Sequence, residues 1–211
     1  MKVNTKSKKL NKAWLNDHVN DPYVRQAQRD GYRSRAAYKL KEIDEALGLI
    51  KPGQTVVDLG AAPGGFLQIL LDEVGPKGLV IGVDLVPIRP LNRPNVKTAV
   101  ADVLDAGFDA LLTSLHAGTF DVVVSDLAPK TTGIKDTDEA RSLALAGKAL
   151  EVSVVRGRPG GHFVAKLFMG RDFEAFRDDV RKAYGEVKVV RPEATRGASM
   201  EIYLVGLSRK R

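Results

Sequence analysis

The sequence predicts an α/β fold: a Rossmann-like, doubly wound sheet of seven strands whose last strand runs antiparallel. Three observations carry this. From Thr55 onward, short β-branched runs alternate with helical stretches, the pattern of parallel strands joined by crossover helices. The last two strand runs are separated by about nine residues rich in Pro and Gly, too few for a crossover helix, so they are expected to be antiparallel neighbours. The chain has 211 residues and no cysteine, so it can bury a large core and cannot rely on a disulfide framework or a thiolate zinc site.

The elements follow in order. Ala36, Ala37, Leu40, Ile43 and Leu47 recur at steps of three and four, an amphipathic helix ending near Gly48, with Pro52-Gly53 as punctuation. Strands are expected at 55–60, 79–85, 96–102, 120–126, 162–168, 186–190 and 200–207, with helices notably at 66–74, 138–156 and 172–184. Parallel-type strands closed by a C-terminal hairpin are the ending of the class I methyltransferase variant of this fold. A dinucleotide-binding Rossmann domain ends differently. The simplest division is a basic extension over residues 1–30 and one catalytic domain over 31–211.

Charge is unevenly placed. Residues 1–41 hold eleven Lys and Arg against three acids, a net +8, whereas the other 170 residues carry 22 basic and 23 acidic groups. A neutral body with a cationic front end points to a polyanionic partner such as nucleic acid, because phosphate neutralisation releases counterions. Residues 1–12 contain no apolar segment of a secretory signal, which with the missing cysteines points to the cytoplasm. No apolar run approaches the 18 residues of a membrane span. His18, His116 and His162 lack ligand-like spacing, so no metal is expected. Nothing in the residues specifies an oligomer, and a monomer is the simplest expectation.

The carboxyl ends of the strands are where ligands bind in doubly wound sheets. The first strand delivers Asp58-Leu59-Gly60, and Ala61-Ala62-Pro63-Gly64-Gly65-Phe66 opens the next helix. Small residues there allow close backbone approach, and the helix N-terminus offers free N–H groups. The loop does not match G-x-G-x-x-G, which counts against a pyrophosphate and hence against NAD. Asp84 closes the second strand, nineteen residues after Gly65, where a carboxylate can bind a ribose diol. Asp102 closes the third strand, where it can meet the exocyclic amine of adenine, and Asp126 closes the fourth within Ser125-Asp126-Leu127-Ala128-Pro129. Together these residues point to a nucleoside-containing cofactor, and S-adenosylmethionine fits better than NAD. Lys166 and Glu201 lie within apolar strand runs, 163–168 and 200–204, where an unpaired charge is costly. With Asp126 on the neighbouring strand, Lys166 is expected between two carboxylates at the ligand edge.

The segment Gly31-Tyr32-Arg33-Ser34-Arg35-Ala36-Ala37-Tyr38-Lys39-Leu40, the loop Asp58 to Gly65 and the Ser125 to Pro129 element together resemble the FtsJ/RrmJ family of ribose 2′-O-methyltransferases. The resemblance runs from about Trp14 to Leu207. It implies a K-D-K-E tetrad at Lys39, Asp126, Lys166 and Glu201, and S-adenosylmethionine held at Gly60, Gly64, Phe66, Asp84, Asp102 and Asp126. Phe66 stands where relatives carry Trp, so it keeps an aromatic ring and loses the indole N–H. The implied substrate is a uridine ribose of large-subunit (23S) rRNA in an assembled or nearly assembled 50S subunit. Lys166 is then the base or the stabiliser of the developing alkoxide, Lys39 and Asp126 orient the hydroxyl, and Glu201 holds the lysine. Family relatives acting on tRNA anticodon loops or mRNA caps are the nearest alternatives, and an oxidoreductase or a noncatalytic RNA-binding module are the alternatives from other classes. Arg191, Arg196, Arg209, Lys210, Arg211 and the basic residues of positions 1–41 are expected to track RNA, with Trp14, Tyr23 or Tyr32 available to stack on a base.

Overall fold

A computed structural model describes residues 21–197 and 199–211. Its first element, α1 (Pro22–Asp30), starts where theory places a start: Asp21 accepts a hydrogen bond from the Tyr23 N–H at 3.0 Å, Pro22 follows, and Gly31 ends the helix in the left-handed region. Helix α2 (Ala36–Leu47) buries Ala37, Leu40 and Ile43 and ends at Gly48, as its periodicity predicts. The sheet comprises β1 (Thr55–Leu59), β2 (Leu79–Asp84), β3 (Val96–Val100), β4 (Phe120–Ser125), β5 (Gly157–Phe168), β6 (Tyr184–Val190) and β7 (Glu201–Arg209). Between them lie α3 (Gly65–Val74), α4 (Phe108–Leu115), α5 (Lys135–Arg156) and α6 (Phe173–Ala183).

Strand order is β3-β2-β1-β4-β5-β7-β6. The pairs among β1 to β5 are parallel, and β7 inserts antiparallel between β5 and β6. This is the expected ending of the sheet. Alternate residues of each strand serve opposite faces. Val57, Leu59, Ile81, Val83, Phe163 and Ala165 pack with α4, α5 and α6 on one face. Val56, Val80, Val122, Val124, Val164 and Tyr203 pack with α2 and α3 on the other. Residues covered on both faces explain why these strands read as continuous apolar runs.

Boundaries mostly shift by one to three residues from the sequence reading, and two differences bear on the strands that border the ligand edge. Strand β5 begins at Gly157 rather than 162, because Gly157 pairs with Phe120 before an irregularity in register, and the Pro159-Gly160-Gly161 stretch masks that pairing in the sequence. Asp102 lies two residues past β3, not within it. Residues 21–30 of the expected extension form α1, which packs through Ala27 against Tyr38 and Ala194 and is tied down where Asp21 receives Arg35 and Arg196. Trp14, His18 and the lysines of positions 2–12 lie outside the described residues.

Candidate active site

The carboxyl ends of β1, β2, β3 and β4 border a cleft of about 550 Å³ whose wall includes Gly60, Ala62, Asp84, Leu85, Asp102, Leu104, Asp126, Pro129 and Lys166. The backbone shapes it. Gly60 sits at φ 84°, and a Cβ there would stand 2.9 Å from the Leu127 nitrogen, so only glycine lets the β1 and β4 loops approach this closely. Asp84 braces the cleft wall by accepting the Ala62 N–H at 2.9 Å and the Val86 N–H at 3.0 Å. Asp102 accepts the Leu104 N–H at 2.9 Å.

Four of the six expected cofactor residues, Gly60, Asp84, Asp102 and Asp126, are in the cleft wall, and Gly64 and Phe66 are not. Phe66 points into the core at 3% exposure, its ring 6.5 Å from that of Tyr203, because the first turn of α3 lies directly over the sheet. Gly64 packs on its far side against Arg33.

The expected tetrad is assembled from four elements: Lys39 on α2, Asp126 just past β4, Lys166 on β5 and Glu201 at the start of β7. Lys166 Nζ donates to the Asp126 carbonyl at 2.7 Å and to its Oδ1 at 2.9 Å. Glu201 does not hold Lys166. It pairs instead with Lys39. The register explains the correction: Glu201 is opposite Phe168 and Tyr203 is opposite Lys166, so the residue beside the lysine is a tyrosine. The expected lysine between two carboxylates is therefore two adjacent ion pairs, one lysine to each carboxylate.

Tyr203 is the candidate site residue that sequence reasoning missed. Its hydroxyl donates to Asp126 Oδ1 at 2.6 Å, and its fully buried ring lies under Lys39 Nζ, 6.0 Å from the centroid. Burial, followed by the neighbouring Asp126 carboxylate, pushes the phenol well above its ordinary value, so it remains a proton donor. Burial acts to raise Asp126 too, but the Lys166 ammonium, with Lys39 and the Tyr203 hydroxyl, outweighs it and holds the carboxyl below the usual range. In sequence, a tyrosine within an apolar strand reads as core, and only the β5–β7 register gives it a polar partner.

Asp58 shares this face of the sheet, level with Val124 of β4 and thus one step below Asp126. It is fully buried, and neither of its carboxyl oxygens has a hydrogen-bond partner among the described residues. Burial, then Asp126 and Asp84, push it well above the ordinary range and so favour its neutral form.

A cleft with apolar walls at Leu85, Leu104 and Pro129, and carboxylates at successive strand ends, suits a nucleoside that carries positive charge better than one that carries phosphates. The nearby guanidinium of Arg33 is committed to backbone carbonyls. Residues 32–209 match the model of the FtsJ-like methyltransferases. The chain belongs to that family. It is 65% identical to a Ribosomal RNA large subunit methyltransferase E of Myxococcus xanthus, over 90% of this chain and 89% of the relative. It is 46% identical to the protein of that name from Methylibium petroleiphilum, over 100% and 99% of the two chains. Among solved structures, a protein from Plasmodium falciparum described as a ribosomal RNA methyltransferase superposes with a TM-score of 0.76 at 26% identity, covering 84% of this chain and 98% of that one. Fibrillarin from Aeropyrum pernix, with natively bound S-adenosyl-L-methionine, shares the fold at a TM-score of 0.59 and 15% identity, over 81% of this chain and 76% of that one. In this FtsJ-like chain, the tetrad lies at the sheet edge next to the cleft, with Lys166 and Asp126 belonging to both.

No helix among the described residues is long and apolar enough to cross a membrane, and no three His, Asp or Glu side chains among them cluster as metal ligands. Several cations expected on RNA are engaged elsewhere. Arg35 bonds to Asp21 and the Ala194 carbonyl, and Arg196 Nε to Asp21 at 3.1 Å. Arg191 bonds to the Ser199 carbonyl at 2.8 Å, and Arg209 to the Val154 carbonyl at 2.6 Å. Tyr23 and Tyr32 pack on Tyr38.

Proposed function

We propose that the chain transfers the methyl group of S-adenosylmethionine to the ribose 2′-hydroxyl of a uridine in large-subunit rRNA, acting in the cytoplasm on the assembled or nearly assembled 50S subunit. The observation that carries the reading is the Lys166–Asp126 pair in the wall of the cleft, in a chain whose relatives are named as large-subunit rRNA methyltransferases. S-adenosylmethionine supplies a methyl group on a sulfonium, whose departure leaves a neutral thioether. Asp84 and Asp102 would hold the ribose and adenine ends of the donor, and Gly60 would let the donor approach the β1 turn closely.

The tetrad orients the acceptor. A methyl transfer needs the hydroxyl oxygen in line with the methyl and its proton removed or its charge stabilised. Lys166 spends two bonding directions on Asp126, leaving its third for the incoming oxygen. As the ammonium it stabilises the developing alkoxide, and as the amine it accepts the proton. Asp126, fixed by Tyr203, sets the direction of Lys166, while Lys39, steadied by Glu201, adds positive charge on the acceptor side.

The test is to map 2′-O-methylation after incubation with S-adenosylmethionine and separate pools of large subunits, free rRNA and tRNA. Methylation of a uridine in large subunits is expected. Modification of tRNA alone would replace this reading with the anticodon-loop one.

A further inference from the structure

Arg33 lies in the basic segment whose charge suggests RNA backbone contacts, yet its guanidinium is turned onto the protein's own backbone. Nη1 donates to the Pro63 carbonyl at 3.2 Å and to the Arg89 carbonyl at 2.5 Å, and Nη2 donates to the Pro90 carbonyl at 2.6 Å. Pro63 belongs to the turn after β1, and Arg89 and Pro90 to the turn after β2. The inner sides of those two turns, at Ala62 and Asp84, are cleft wall.

The arginine is itself fixed. Its N–H donates to Gln68 Oε1 at 2.7 Å, and Gln68 Nε2 donates to the Gly31 carbonyl at 2.9 Å, which pins the segment before α2 to helix α3. At Gly64, φ is 108° and a Cβ would stand 3.0 Å from Arg33 Nη1, so the glycine leaves room for the side chain to pass. From the cleft side, Asp84 spans the same two turns through Ala62 and Val86. The turns are thus bridged twice, by a carboxylate accepting N–H groups inside and a guanidinium donating to carbonyls outside. Such a set of three carbonyls suits a planar fork with several donors, and a lysine point charge could satisfy only part of it.

We propose that Arg33 is a positioning residue for donor binding: it sets the spacing of the β1 and β2 turns and so preorganises the cleft for S-adenosylmethionine. This rests on the donor reading of the cleft given above. A ligand that must order the turns itself binds more weakly by the ordering cost, while chemistry at Lys166, on another strand, is spared.

The test uses the full chain with Arg33→Ala and Arg33→Lys, S-adenosylmethionine and S-adenosylhomocysteine titrated by calorimetry, melting curves, and kinetics on large subunits. The expected result is a donor Kd and donor KM raised about tenfold in Arg33→Ala and less in Arg33→Lys, with kcat at saturating donor within about threefold of wild type. The KM for large subunits and its salt dependence stay unchanged. A donor Kd equal to wild type in both variants overturns the proposal, as does a raised subunit KM with a flatter salt slope, which would make Arg33 a phosphate contact. If Arg33→Ala shows no melting transition, Arg33→Lys decides: wild-type donor affinity in that variant overturns the role, and weakened affinity in a folded protein supports it. Wild type that binds no S-adenosylmethionine overturns the donor reading and Arg33's role with it. Wild type that binds normally beside unaffected variants overturns the Arg33 role alone.

Discussion

The two halves of the sheet's carboxyl edge satisfy their polar groups in different ways. On the β1–β2–β3 side the carboxylates bond to backbone near their own strands: Asp84 to the N–H two residues on, and Asp102 likewise. On the β4–β5–β7 side they bond to side chains distant in sequence: Asp126 to Lys166 and Tyr203, and Glu201 to Lys39. The contrast is sharpest in two carboxyls on one sheet face. The carboxyl of Asp126 is pushed below the usual range by its neighbours, while Asp58 on the next strand has no partner among the described residues and is pushed above it by burial. One half is a frame in which the backbone leaves a shaped space, and the other is a charge network whose members fix one another.

If the halves are separable, damage to each should appear in a different kinetic constant. The largest effect is expected at Lys166. Lys166→Ala should lower kcat by about a thousandfold or more while leaving the calorimetric Kd for S-adenosylmethionine near wild type. Lys166→Arg then divides the two roles of the lysine, because arginine keeps the charge and cannot serve as a base. A rate well above that of Lys166→Ala assigns charge stabilisation, and equal loss assigns proton removal. A donor Kd that worsens with kcat would break the separation.

Asp84→Ala should do the reverse. It removes the carboxylate proposed to hold the donor ribose and the inner bridge between the β1 and β2 turns, so donor KM should rise about a hundredfold with kcat at saturation changed far less. Equal losses in both constants would show that the turns also position the acceptor.

Tyr203→Phe tests the network at a smaller scale. It deletes one hydroxyl from a site whose acceptor keeps Lys166, so kcat should fall about tenfold and stability by about 1 kcal/mol, with donor Kd unchanged. Unchanged kcat would reduce Tyr203 to packing.

The smallest effect, at Asp58, is read in stability. A carboxyl whose folded-state pKa lies above its unfolded value of about 4 contributes stability that is fully present below that value and is lost as pH rises through the folded one. Asp126, shifted downward, behaves oppositely: its contribution is present above the unfolded value and lost as pH falls through the folded one. Asp58→Asn is neutral throughout, so its stability relative to wild type should improve as urea melts are taken from about pH 5 to about pH 9. A relative stability that worsens with pH would mean that Asp58 is ionised and paired.

Much of this was legible beforehand for local reasons. All seven strands fall within a few residues of their expected places, except for the start of β5, because β-branched runs buried on both faces leave a continuous apolar signature. Helix α4 stood out less, since its eight residues bury only Phe108 and Leu112. Gly60, Asp84, Asp102 and Asp126 line the cleft because each is at a strand end, and strand ends can be counted along a chain. Lys166 was legible as a charge in an apolar run. Its partner Asp126 was legible too, but its neighbour on the last strand was not, because a two-residue shift in the β5–β7 register decides between Glu201 and Tyr203.

The basic front end shows the same limit. Composition places eleven cations in the first 41 residues. The tertiary structure turns Arg33 onto three carbonyls, Arg35 onto Asp21 and Ala194, and Lys39 onto Glu201. The sequence by itself determined the strand order's raw material, the ligand edge and the identity of the charged groups, because burial periodicity and strand-end position act over a few residues. Only the tertiary structure decided which charge meets which partner, because those choices depend on the approach of elements up to 175 residues apart and on hydrogen-bond geometry that tolerates errors of only a few tenths of an ångström.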